Sequence, residues 1–547
     1  MSLRKTAQLY KPEEAALRIR LDHGRSLRTA ACSLALTLLF SFAADGQVNW
    51  PQFGQNDSNT SDNRQETVLS PTTVAGLKEK WKFRTEGDVS ARPAVVNGVV
   101  YFPDWGGYLW AVNAETGKAV WGKKLSSYVI NPSTGKPYSS LVYARATPAV
   151  SNGVVYIGLE EASGYFLAIE ASSGKLLWKT RLETVDPDAM ITASASVANG
   201  IVYAGVTSAQ EGIAGGGPKT ARGSVVALEA SSGKIVWKTY MTTAGYTGAP
   251  VWGSSPVVDL SRGTVFVGTG DNYTTPTDST YLHCVKSGEA PSDCQSTNNH
   301  ADSIVALSIK SGTVKWARRM EDWPEDSDES GSDFFNLACP HGVPGCPTPA
   351  GPDFDFGSAP NEITYSTSSG SGTIIGAGQK SGLYYAFNPD TGELLWQTQV
   401  GPGSRLGGIM WGSAADSQRI YVAISNHNGT AYAGGNAGSW AALNPANGEI
   451  LWRTRDPYGA MGVGPVAVAN GVVYVPSTAD KAADRNMIAL DAATGKTLWS
   501  FASGASTIAG AAVVNGVVYW GTGYSHLPLA GFSGGANAFY AFSIGGK

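Results

Sequence analysis

A strand, a turn through a D/S/N-x-x-G-K/E tetrapeptide, and a second strand ending on tryptophan recur along this chain. The stretch "GSVVALEASSGKIVW" (223–237) is one copy, and others close on Trp121, Trp178, Trp316, Trp396, Trp452 and Trp499. The fullest, "NGVVYFPDWGGYLWAVNAETGKAVW" (97–121), shows that each unit opens with an N-G hairpin that feeds the second hairpin. Alternating apolar residues around a tight turn containing Gly are hairpin chemistry. A chain of 547 residues would ordinarily suggest several domains, but a repeat assembly grows by adding units around one structure.

The two ends of the repeat are complementary. The last unit, from "NGVVYWGTG" (515–523) to "FYAFSIGGK" (539–547), has no closing tryptophan, whereas "LKEKWKF" (77–83) supplies Trp81 with no hairpin before it. If the N-terminal strand completes the last sheet, eight units close into a ring with few exposed edges. The expectation is an all-β, eight-bladed propeller. An open solenoid would carry polar caps in place of matching half-units.

Residues 1–44 read differently. Arg25 and Arg28 precede the apolar run "TAACSLALTLLFSFAA" (29–44), which reads as a secretory signal with an atypically long basic region before it. The predicted organisation is a signal at 1–44, a lead-in at 45–80 and the propeller at 81–547, in a periplasmic or secreted protein. The chain carries a net charge of −4, and removing the basic leader makes it more acidic, which argues against a nucleic-acid partner. Cys32 falls in the leader, leaving Cys284, Cys294, Cys339 and Cys346 as two close pairs. Local pairs after a signal favour two disulfides. Zinc is the alternative, but neither pair is a C-x-x-C and His283 and His341 lack matching partners.

Function is expected where the copies are interrupted. The two longest intervals, Trp237 to Trp316 and Trp316 to Trp396, hold insertions at 271–302 and 317–357. The first contains "GTGDNYTTPTDSTYLHC" (268–284). The second contains "EDWPEDSDESGSD" (321–333), an acidic run that reads as a solvated loop or as a steering surface for a basic redox partner.

The closing motif, together with "VWGSSPVVD" (251–259), "VFVGTGDNY" (265–273), "GPDFDFGSAP" (351–360), "GAGQKSGLYYAFNPDTGE" (376–393) and "DWGGYLWAV" (104–112), resembles the pyrroloquinoline quinone (PQQ)-dependent alcohol dehydrogenases, most of all their polyvinyl alcohol dehydrogenase branch. The resemblance implies PQQ and calcium as cofactors. Trp252 matches the tryptophan on which the quinone stacks, and a planar tricyclic ring needs such an aromatic face. Glu211 matches a carboxylate that contacts calcium and cofactor. Asp271 stands where the family places Asn, with Asn272 beside it, so both are candidate ligands for a cation that takes oxygen donors. Asp355 matches the catalytic base, with Phe354 in place of the usual preceding Trp. Lys380 matches the cation that hydrogen-bonds the quinone oxygens, and Arg145 a contact to a cofactor carboxylate.

Two family features are missing from the sequence: an adjacent Cys-Cys pair and any C-x-x-C-H haem attachment. Electrons would then pass to a separate acceptor, a cytochrome c or a quinone. The resemblance implies an exported dehydrogenase for alcohols, including secondary or polymeric ones. Two other readings share the repeat: a non-catalytic scaffold of the outer-membrane assembly type, and a quinoprotein sugar dehydrogenase. A nicotinamide enzyme is disfavoured, since no strand-G-x-G-x-x-G-helix unit occurs.

Overall fold

The computed structural model describes residues 48–547 except 161, 213–219, 254, 290–292, 321–351 and 526–531. The leader at 1–44, Cys339, Cys346 and the acidic run at 321–333 lie outside the described residues. Eight sheets form the blades of a propeller. Counting from the innermost strand, blade 1 runs from Ala94–Val96 to Ala119–Lys124, blade 2 from Ala149–Ser151 to Leu176–Arg181, blade 3 from Ser196–Ala198 to Ile235–Tyr240, and blade 4 from Val257–Asp259 to Val314–Arg319. Blades 5, 6 and 7 begin at Asn361–Thr367, Ala414–Ala415 and Ala467–Ala469. Blade 8 begins at Ala512–Val514, and its outermost strand is Leu77–Arg84, antiparallel to Ala538–Ile544 with Trp81 opposite Ala541. The predicted ring closure is present.

The closing tryptophans hold neighbouring blades together. Trp121 donates its indole N–H to the Ala171 carbonyl at 2.9 Å, Trp178 to Ala230 at 2.9 Å and Trp237 to Ile309 at 3.0 Å, each one blade onward. The series continues through Trp316, Trp396 and Trp452, and Trp499 reaches Leu77 at 3.0 Å across the chain termini. Each of these indoles except Trp499 also lies over the turn glycine of the next blade. Gly233 has φ +70°, and a Cβ there would stand 2.4 Å from the Trp178 ring. The repeated glycine therefore does two jobs: it permits the left-handed turn, and it lets the neighbouring indole approach the backbone.

The lead-in forms an inner girdle. Innermost strands are sheet edges with unpaired backbone groups facing the channel, and residues 50–63 satisfy them one blade after another. Trp50 pairs with Val95 of blade 1; Val150 of blade 2 donates to the Pro51 carbonyl; Val197 of blade 3 donates to the Gln52 side chain. Val258, Glu362, Ala415 and Val468 of blades 4 to 7 donate to the carbonyls of Asp57, Ser58, Thr60 and Ser61, and the Asn63 amide donates to Val513 of blade 8. Arg92, 1 % exposed, holds the girdle through the Phe53 and Val466 carbonyls and the Ser61 hydroxyl.

The first insertion folds into a helix, Ser279–Lys286, capped by Asp278, which accepts from the Tyr281 N–H at 2.9 Å. Cys284 on this helix forms the expected disulfide with Cys294. No helix among the described residues is long and apolar enough to cross a membrane.

Candidate active site

The segments that lead into the innermost strands carry the site, together with the connections between the second and third strands of blades 4 and 5. They enter the channel from successive blades, and their close approach depends on glycine. In "GTGD", a Cβ on Gly270 would stand 2.4 Å from an Asp355 carboxylate oxygen; in "DFGS", one on Gly357 would stand 2.8 Å from the Trp252 ring. The sequence words that occur far apart thus interlock in space.

Asp355 is at the centre of this packing and is fully buried. Its Oδ2 accepts from Trp252 Nε1 at 2.7 Å, and its Oδ1 accepts from the Asp271 backbone N–H at 2.9 Å. Lys380 Nζ lies 3.3 Å from the same Oδ2 and 2.8 Å from Asp353 Oδ1, and it stands 5.1 Å from the centre of the Trp252 ring. Burial by itself would raise the Asp355 carboxyl, but Lys380 and the hydrogen bonds from Asp271 and Trp252 hold it below the usual carboxylate range. For Asp353, burial and the neighbouring Asp355 charge outweigh Lys380, and its carboxyl is raised.

Beside Asp355, the carboxylates of Asp271 and Asp302 complete a buried trio in which one oxygen from each lies within 4.8 Å of the others. Such a set of hard, anionic oxygens fits calcium, which takes six to eight oxygen ligands in flexible geometry. Asn272 is turned elsewhere: its Nδ2 donates to the Thr247 carbonyl at 2.7 Å, and its Oδ1 accepts from Asn299 at 2.7 Å. Of the two adjacent candidates, Asp271 joins the carboxylate trio. The Glu211 side chain lies outside the described residues.

Arg145 lies across the channel, in an ion pair with Glu160 at 3.2 Å and a hydrogen bond to the Tyr524 hydroxyl at 3.2 Å. Its guanidinium stands 4.7 Å from the centre of the Trp411 ring, and Trp411 meets Trp252 edge to face at 5.4 Å. Arg145, Trp411, Trp252 and Lys380 thus make a continuous cation-aromatic run. A channel cavity beside it is lined by Arg145, Thr147, Thr192, Ser194, Trp411 and Tyr524, among others. Aromatic walls, cations and hydroxyls around a cavity suit a planar, anionic quinone such as PQQ.

Sequence reasoning identified Asp355, Trp252, Lys380, Asp271 and Arg145, and these gather around the channel. It missed Asp302, Asp353, Glu160, Trp411 and Tyr524. Trp411 had a legible signal, because "MWGS" (410–413) repeats the "VWGS" of Trp252 two blades earlier. Asp302 had none: it lies among ordinary strand residues in "ADSIVALS" (301–308).

Comparison with known proteins shows the family and the fold. The PQQ-type family model described as "Outer membrane protein assembly factor BamB" matches residues 42–318 and 365–536. The chain is 29% identical over 525 residues to a polyvinylalcohol dehydrogenase of Pseudomonas sp, covering 88% of this chain and 74% of that protein. It is 27% identical over 582 residues to a polyvinylalcohol dehydrogenase of Sphingopyxis sp. (strain 113P3), covering 96% and 80%. The crystal structure of quinohemoprotein alcohol dehydrogenase from Comamonas testosteroni has the same fold, with a TM-score of 0.66 and 18% identity over 91% of this chain and 81% of that one. The chain therefore belongs to the PQQ-type β-propeller family and is homologous to its polyvinyl alcohol and quinohemoprotein alcohol dehydrogenases.

Proposed function

We propose that this alcohol dehydrogenase homologue is an exported enzyme that uses PQQ and calcium to oxidise secondary or polymeric alcohols and passes the electrons to a separate acceptor, a cytochrome c or a quinone. The observation that carries the reading is the buried Asp355 carboxylate, joined to Trp252 at 2.7 Å, to Lys380 at 3.3 Å and to the trio with Asp271 and Asp302. A scaffold gains nothing from burying these charges together, because desolvating each costs several kcal/mol.

When bound, PQQ supplies two-electron, hydride-accepting chemistry and calcium supplies a Lewis acid. Asp355, held ionised, accepts the alcohol hydroxyl proton at a carboxylate oxygen as the carbon gives up its hydride. Trp252 fixes the orientation of that carboxylate through its indole N–H. Lys380 offers a fixed positive charge near the reacting oxygens. Arg145, kept in place by Glu160 and Tyr524, would pair with a cofactor carboxylate, and Asp271, Asp302 and Asp355 would hold the metal, with Glu211 as a further candidate ligand.

The test is an apo-to-holo titration of purified residues 45–547 with calcium and PQQ, followed by dye reduction on primary, secondary and polymeric alcohols and on aldoses. The expected result is activity that needs both additions and disappears in Asp355→Ala. Absence of PQQ binding, measured by fluorescence quenching, would leave the scaffold reading. Turnover of aldoses in preference to alcohols would favour the sugar dehydrogenase.

A further inference from the structure

The motif "DFD" (353–355) brings two carboxylates to one lysine. Asp353 Oδ1 lies 2.8 Å from Lys380 Nζ, closer than Asp355 Oδ2 at 3.3 Å, and all three side chains are buried. Asp353 reaches this position from the left-handed region, with φ +64°. Few residues other than Gly adopt that conformation, with Asp and Asn the usual exceptions. Phe354 packs elsewhere: a Cβ on Gly403 would stand 2.8 Å from the tip of its ring. The Lys380 backbone is held by the same segment, since its N–H donates to the Asp355 carbonyl at 3.1 Å. Residues 353–355 therefore grip Lys380 at both backbone and ammonium.

A single ammonium between two buried carboxylates is drawn to whichever geometry allows. With the Asp353 charge removed, the balance between these two carboxylates tips toward Asp355, to which Nζ already donates at 3.3 Å, and Nζ would move closer to it. We propose that Asp353 is a positioning residue: by taking the closer contact at 2.8 Å it draws the Lys380 ammonium partway off Asp355, whose ion pair stays at 3.3 Å, and so would place it for the reacting carbonyl oxygen of the cofactor. This inference rests on the dehydrogenase reading above. It assigns a role to a residue that touches Lys380 and not the substrate.

The test compares wild type with Asp353→Asn, which keeps the shape and the tolerance for positive φ but removes the charge. In the apo proteins, the rate of Lys380 modification by a small amine-acylating reagent is read by mass spectrometry. In the holoenzymes, PQQ affinity, the absorption maximum of bound PQQ, kcat and KM are measured. The expected result is a several-fold change in Lys380 labelling, a shifted PQQ absorption maximum, and kcat lowered roughly tenfold or more at unchanged KM. PQQ affinity and Tm should stay near wild type. Unchanged labelling and kcat would overturn the inference, as would a loss of kcat matched by equal losses of PQQ affinity and Tm. Failure of wild type to bind PQQ is a separate outcome: it removes the dehydrogenase reading and, with it, any role for Asp353 in that reaction.

Discussion

Trp252 donates its indole N–H to Asp355 at 2.7 Å, although the two residues are 103 positions apart and belong to neighbouring blades. The proposed stacking surface and the proposed base are thereby fastened to each other. A shift of the ring relative to the carboxylate would disturb both functions at once.

Trp252→Phe separates them. The variant keeps an aromatic face and loses a donor to a buried carboxylate, a hydrogen bond worth about 1.5–3 kcal/mol. PQQ affinity should fall by only a few-fold, while kcat falls roughly tenfold or more; fluorescence quenching and steady-state kinetics on the same preparations check this.

Asp302→Ala tests the metal ligand that sequence reasoning overlooked. It removes one of three buried carboxylates. Calcium affinity, measured by titration calorimetry, should drop by roughly tenfold or more, and excess calcium should restore part of the activity. An unchanged affinity would place calcium away from this trio.

Gly233→Ala tests the seams between blades. The new Cβ would face the Trp178 ring at 2.4 Å from a backbone with φ +70°. Strain plus overpacking should destabilise by about 2–4 kcal/mol, read as a lower urea midpoint. Activity per folded molecule should be unchanged.

A pH effect is expected at the contact between blades 4 and 5. Glu362 shares Arg262 with Asp259, at 3.0 and 2.8 Å. Burial, then the Asp259 charge, pushes the Glu362 carboxyl up from 4.5 to about 7, while hydrogen bonds from Arg262 and Ser261 overcome burial and take Asp259 down to about 2. A raised carboxyl binds its proton more tightly in the folded state. The Glu362 contribution to stability is therefore fully present below pH 4.5 and is lost as pH rises toward 7. Glu362→Gln should flatten the fall in Tm across that window, which thermal melts at stepped pH will show.

Much of this molecule was legible in its sequence because propeller repeats are local. The hairpin alternation, the turn glycine and the closing tryptophan are each set by neighbours within one unit. The half-unit at Trp81 sufficed to close the ring. The "WGSS", "GTGD" and "DFDF" words marked the site through their resemblance to the PQQ-dependent alcohol dehydrogenases and not through local periodicity.

What only the tertiary structure decided depends on contacts between residues far apart in the chain. Asp271, and not Asn272, meets Asp355, since Asn299 occupies the Asn272 amide. Asp302 joins the trio across a fold of blade 4, and Asp353 divides Lys380 with Asp355 by way of a left-handed backbone. The girdle at 50–63 carries no repeat signature at all, because its register is set by the eight edges it satisfies. Local periodicity determines the blades, whereas the charges in the channel are arranged by the ring that brings the blades together.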